Sequence, residues 1–293
     1  MRRCLPLMFL LCAALVGTGC PGDDGLRRLA LGKTAIATGD FDNVDELIQD
    51  VASQTTVEAE IHFYDGYITG PAIESEPPNG GRPLELQVED LMRVDSTAGL
   101  QQFKTVFLSD GMRGCNSFKY NGVGEDNHLV ADQTVIDNLE VSVRNGLRIY
   151  FSDWTYDLME ATWPDLVDWV GDDEELDQAQ RGMAPQTVNA EIVDEGLAEF
   201  MGVPVGSQLE VIFNFGTWAV IESVSDDVTV LVSADVEYDD PATGEVRVQE
   251  DAPLLIAANI GTGVVLFTAF HNEAQVSDDT RDVLAYGLGQ LTR

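Results

Sequence analysis

The chain changes its hydrophobic period partway along, and this limits its fold more than any other feature. Its first half alternates short apolar runs with amphipathic stretches. Thr34-Ala35-Ile36-Ala37 reads as a strand, and Gly39-Asp40-Phe41-Asp42-Asn43 as a turn. Val44 to Ala52 reads as a helix with Val44, Leu47, Ile48 and Val51 on one face, and Val57 to Tyr64 as a second strand. After a Pro/Gly-marked loop over Ile73 to Pro83, Val88 to Val94 is a short amphipathic helix. Thr105-Val106-Phe107-Leu108 suits a fully buried strand, and the glycine-rich stretch from Met112 to Leu129 is irregular. Asp132 opens a helix carrying Val135, Leu139 and Val143 at a spacing of four, and Asn145-Gly146 closes it. Leu147 to Phe151 is a further strand, followed through Ser152-Asp153-Trp154 by a helical stretch toward Ala161. Such alternation predicts an α/β domain with a mostly parallel sheet and helices on both faces.

From Val211 onward the pattern is that of strands: Val211–Phe215, Trp218–Val224, Val228–Val236, Glu245–Gln249, Leu254–Ile260 and Val264–Thr268. Asp239 to Gly244 forms a hairpin-type turn, and Ser277 caps a final helix through Leu291. These strands are expected as C-terminal additions to the sheet. Between the two halves, Trp163 to Pro204 is acidic, with Asp172-Asp173-Glu174-Glu175 in its midst. It is expected to be an excursion from the main sheet, spanning about 163–210 and partly helical from Ala190 to Met201. No internal repeat is visible.

Charge excludes one class of partner. With 51 acidic against 16 basic residues the formal net charge is −35. Such a field repels nucleic acid and anionic lipid, so no nucleic acid partner is expected, while cations and basic ligands are drawn in. Solubility alone also accounts for such a charge. Hydrophobic residues make up 44% of the chain, enough for a substantial core. The cysteines are Cys4, Cys12, Cys20 and Cys115, with no CxxC spacing and no Cys/His cluster, so an ordinary structural zinc site is not expected, and no cofactor or metal is assigned in the leading reading.

The N-terminus sets a compartment. Arg2 and Arg3 precede an apolar run from Leu5 to Val16, then small residues Gly17-Thr18-Gly19, then Cys20. This resembles the signal peptide and lipobox of bacterial lipoproteins, although Gly17 stands where that family prefers Leu or Val. The resemblance implies cleavage after residue 19, acylation of Cys20 (palmitate among its acyl chains) and a protein held to a membrane of the cell envelope by lipid. Pro21 rather than Asp after Cys20 implies onward sorting to the outer membrane. A plain secretory signal is the alternative. A retained span is too short, since crossing needs about 20 apolar residues. Residues 20–32 are then a tether, and 33–293 one α/β domain.

Three segments resemble class I glutamine amidotransferases, whose sheet is flavodoxin-like. Val264 to Glu273 resembles the late strand and loop that supply the catalytic His and, two residues on, the Glu that orients it. His271 and Glu273 take those positions, and Asn272 replaces the family's Pro. Thr105 to Gly111 resembles the strand whose glycine loop gives an oxyanion-hole amide. Leu147 to Trp154 resembles the strand and elbow that carry the nucleophile. The departure falls on that nucleophile, because the family's Gly-x-Cys-x-Gly reads Phe151-Ser152-Asp153-Trp154-Thr155 here. A strand-to-helix elbow places its tip at positive φ, which Asp tolerates, but a carboxylate is a poor acyl-transfer nucleophile. The amidotransferase reaction is therefore not expected.

The expected function is a non-catalytic, pseudoenzyme-like module for ligand binding or assembly. Its crevice would be formed by Asp110, Gly111, Asp153 and Trp154 beside His271 and Glu273. Its partner would be a small ligand or a cell-surface protein. The alternative is a hydrolase using Ser152, His271 and Glu273, or a metal held by carboxylates. A purely structural role in a surface complex is a third. Asp110 and Asp153, both at strand ends, would share a cation or raise one another's pKa if they face each other. Asp40, Asp42 and Asp45 read as a solvated acidic turn, Cys115 as a buried filler, and His62 and His128 as ordinary residues. Trp154 and Tyr156 either pack beneath the helix or offer faces to a planar ligand.

Overall fold

A computed structural model describes residues 28–40, 42, 44–54, 56–67, 86–93, 99–115, 128–171, 179–213, 218–240, 243–270 and 278–292. Its strands are β1 (Arg28–Ala37), β2 (Thr56–Asp65), β3 (Leu86–Gln87), β4 (Thr105–Leu108), β5 (Arg148–Ser152), β6 (Val167–Trp169), β7 (Arg181–Gly182), β8 (Gln186–Ile192), β9 (Gln208–Phe213), β10 (Ile221–Val224), β11 (Val228–Asp240), β12 (Glu245–Ile260) and β13 (Gly263–Thr268). Its helices are α1 (Val44–Gln54), α2 (Val88–Arg93), α3 (Gln133–Arg144), α4 (Tyr156–Thr162), α5 (Glu195–Met201) and α6 (Asp278–Gln290).

One large sheet runs in the order β3-β2-β1-β4-β5-β13-β12-β11-β8-β9, with β7 added beside β11. The pairs from β3 through β13 are parallel, and those from β13 through β9 antiparallel. Helices α1, α5 and α6 pack together, and α2, α3 and α4 pack together, one group on each face of the sheet. This is the expected flavodoxin-like arrangement with strand-rich C-terminal additions. The chain leaves β1 toward β2 on one side and returns to β4 on the other. The switch point of the sheet therefore lies between the C-terminal ends of β1 and β4, where folds of this kind open a crevice.

The elements form where local physics asks for them. All four residues of β4 are buried, as a central parallel strand covered on both faces requires. Helix α3 starts where the Asp132 carboxylate accepts from Thr134 N–H at 3.0 Å, and it buries Val135, Leu139 and Val143. Gly146, at φ 109°, takes the backbone past its end.

Several expectations need correction. β1 begins at Arg28, well before the apolar run that marks it in the sequence. The later part of the acidic stretch is built into the main sheet: β8 joins it beside β11, burying Val188, Ala190 and Ile192 in strict alternation. Ala190 therefore lies in a strand. The helix starts only at Glu195, where the Asp194 carboxylate accepts from Leu197 N–H at 2.7 Å. Ile221–Val224 pairs with Val167–Trp169 in a separate two-stranded sheet. β12 is continuous because Asp251, at φ 52°, absorbs an irregularity where the sequence suggests a break. The loop expected at 73–83, the signal peptide expected at 1–19 and Ser277 lie outside the described residues. Among the described residues no helix is long and apolar enough to cross a membrane.

Candidate functional site

The C-terminal ends of β1, β4, β5 and β13 converge, and their register places Ala37 beside Leu108, Leu108 beside Phe151, and Thr268 beside Ser152. The chain approaches closely at the switch point. A Cβ on Gly39 would lie 1.9 Å from the Asp110 carbonyl oxygen, so only glycine fits there. Asp40 N–H donates to Gly111 O at 3.3 Å and Ser109 N–H to Ala37 O at 3.2 Å, which closes the base of the crevice with backbone bonds. Gly111 is buried at φ 72°.

The elbow after β5 has the expected geometry. Asp153 sits at φ 39°, one of two positive-φ non-glycine residues among those described. Its turn is braced by Ser152 and Thr155. Thr155 Oγ1 accepts from Ser152 N–H and donates to Ser152 O, each at 2.9 Å, in a capping box.

Each polar side chain at the elbow is tied to a specific partner. Ser152 Oγ donates to Asp42 Oδ2, which also accepts from Asp110 N–H at 3.1 Å. Asp110 Oδ1 accepts from Trp154 N–H at 3.3 Å, and Asp153 Oδ1 accepts from Ala219 N–H at 2.8 Å. Asp110 and Asp153 thus each hold a different backbone amide. Ser152, Asp110 and Asp153 are 0% exposed and Asp42 is 4% exposed. Asp42 therefore corrects the reading of a solvated acidic turn: it is a buried acceptor joining the ends of β1, β4 and β5.

The elbow is covered by the segment Trp218-Ala219-Val220. Val220 N–H donates to Gln180 O at 3.3 Å, Gly182 N–H to Trp218 O at 2.8 Å, and Trp218 stacks on Phe213 at 4.1 Å. Trp154 meets Tyr156 edge-on at 5.7 Å, Tyr156 lies 4.7 Å from Trp169, and Trp169 lies 5.1 Å from Phe267. Both Trp154 and Tyr156 are buried in this column, which favours packing over display to a ligand. Burial pushes the Tyr156 hydroxyl well above its ordinary pKa, and neighbouring Asp157 adds to the shift. Tyr150 OH and Thr268 Oγ1 share a hydrogen bond of 2.6 Å that fastens β5 to β13 at the same level.

A clamp that sequence reasoning did not single out holds the turn after β4. Arg113 Nε donates to Glu89 Oε1 at 2.9 Å and Nη2 to Glu89 Oε2 at 2.8 Å, while Nη1 lies 3.5 Å from Asp65. The Arg113 hydrogen bonds hold the Glu89 carboxyl at about 2 against the opposing effect of burial. His128 Nε2 reaches Glu89 Oε1 at 3.1 Å. The available signal was weak: an acidic first turn on α2 and one of the chain's few arginines after β4.

His271, Glu273 and Cys20 lie outside the described residues. Cys115 is buried. Among the described residues no group of three or more His, Cys, Asp or Glu side chains is arranged to hold a metal.

No protein-family model matches the sequence, and no curated protein matches it. Several solved structures align with most of the chain. A protein assigned as a GMP synthase component from Thermoplasma acidophilum is 10% identical, with 89% of this chain and 94% of that one covered at a TM-score of 0.45. PurLQS from Thermotoga maritima is 11% identical, with 89% and 99% covered at 0.45. A β-galactosidase from Bacillus circulans is 11% identical, with 89% and 31% covered at 0.44. At these identities and TM-scores the likeness says nothing of activity.

Proposed function

We propose that this chain is an exported, lipid-anchored protein whose α/β domain keeps an amidotransferase-like elbow but serves as a non-catalytic binding or assembly module. The observation that carries the reading is the state of the elbow. A covalent catalyst needs a nucleophile open to substrate and activated by a base. Here the tip residue is Asp153, whose carboxylate holds Ala219 N–H, and neighbouring Ser152 is buried with its hydroxyl directed to Asp42. Both groups serve the packing of strand ends. The lipid anchor rests on Cys20 and the apolar segment before it, and places the module at a membrane face of the envelope.

An activity-based test separates this reading from the serine hydrolase one. The full chain and its Ser152→Ala variant are treated with a fluorophosphonate probe and examined for covalent labelling. No labelling of either form is expected. Labelling of the wild type that disappears in Ser152→Ala would overturn the non-catalytic reading.

A further inference from the structure

At the opposite end of the sheet from the elbow, a cavity of about 390 Å³ lies between α6 and the β12–β13 turn. Its volume falls in the range of small-molecule sites. Thr229, Asn259, Thr262 and Gln290 supply hydroxyl and amide groups to its wall, with Tyr286 and Asp194 at one end. None of the residues lining it is cationic, and Asp194 is the one charged group among them. Asp194 is held firmly. Its Oδ1 accepts from Leu197 N–H at 2.7 Å and from Tyr286 OH at 3.0 Å. Two bonds on one oxygen fix the plane of the carboxylate and leave Oδ2 as an acceptor.

We infer that this cavity binds a small amine, with its ammonium group on Asp194 Oδ2 and its remaining polar atoms on the surrounding hydroxyls and amides. The chemistry selects this class. An anion would meet a carboxylate and no positive side chain. A purely apolar ligand would strip water from six hydrogen-bonding side chains without replacing those bonds. An ammonium group gains a charge-assisted hydrogen bond on an acceptor already held in place, which lowers the ordering cost of binding. The net charge of −35 raises the local concentration of cations around the whole molecule, and so favours the same ligands. The site is independent of the elbow, and its fate does not depend on whether the elbow is catalytic.

The test is calorimetric titration of the full chain in detergent at about 150 mM salt, where attraction to the acidic surface is screened. The probes are putrescine and ethanolamine, with 1,4-butanediol and succinate as neutral and anionic controls. Saturable binding of at least one amine at one site is expected, and neither control should match it. Asp194→Asn keeps the oxygen that caps α5, since Asn is as good a cap as Asp, but removes the charge. It should weaken amine binding at least about tenfold with the fold intact by circular dichroism. The inference is overturned if neither amine binds, if butanediol binds as well as the amines, or if Asp194→Asn binds them as tightly as the wild type.

Discussion

Acid should loosen the turn after β4 through one residue, and the sign and size follow from the Arg113 clamp. Glu89 takes both prongs of the Arg113 guanidinium at 2.9 and 2.8 Å, which lowers its pKa from 4.5 to about 2. A carboxyl whose folded pKa lies below its unfolded one stabilises the fold above the unfolded value. That contribution fades as pH falls from about 4.5 through about 2. At about 1.36 kcal/mol per pH unit the displacement corresponds to about 3 kcal/mol. The Glu89 side chain is 24% exposed, so solvent screening reduces this to about 1–2 kcal/mol. Urea unfolding of the wild type and Glu89→Gln at pH 7 and pH 3 isolates the effect, because the remaining carboxylates are common to both. Glu89→Gln should be about 1–2 kcal/mol less stable at pH 7, with the gap falling below half of that at pH 3. A gap of the same size at both pH values, or none at pH 7, would refute the argument.

Two further outcomes bear on the elbow and the anchor. Asp153→Asn keeps an acceptor for Ala219 N–H and tolerates positive φ, so it should change stability by less than about 1 kcal/mol. Asp153→Val places a β-branched residue at positive φ and leaves a buried amide unbonded, costing about 3 kcal/mol or more; a tolerated Val would show that the elbow geometry is misassigned. Cys20→Ala should abolish palmitate incorporation and move the protein from the membrane to the soluble fraction, and unchanged membrane association would count against lipidation there.

What the sequence revealed of the fold was governed by how local each signal is. β4, β5, α1 and α3 announce themselves because an apolar run or a spacing of four is complete within a dozen residues. The positive φ at Asp153 was legible too, since a strand running straight into a helix leaves few ways to turn. β8 was misread because Ala190 to Met201 is rich in helix formers. Its strand is decided by alternate burial of Val188, Ala190 and Ile192 against neighbours remote in sequence. The burial of Asp42 was invisible for the same reason. Its partners stand 68 and 110 residues along the chain, and nothing near Gly39-Asp40 reports them.

The elbow after β5 and the segment before β10 belong together physically. The turn after β5 carries positive φ at a residue with a side chain, and such strain persists only where surroundings enforce it. The Asp153 carboxylate meets that need by accepting from Ala219, which lies in the segment leading into β10. That segment is itself locked by Gly182, which has no side chain because the Trp218 ring stands where a Cβ would be, at 1.9 Å. An elbow that presents a nucleophile must leave its tip side chain open to substrate. Here the tip carboxylate reaches the added segment instead, and the residue is fully buried. The acceptor at the tip of the elbow and its donor in the segment before β10 therefore form one structural unit. It joins the C-terminal end of β5 to the segment that enters the β6–β10 sheet.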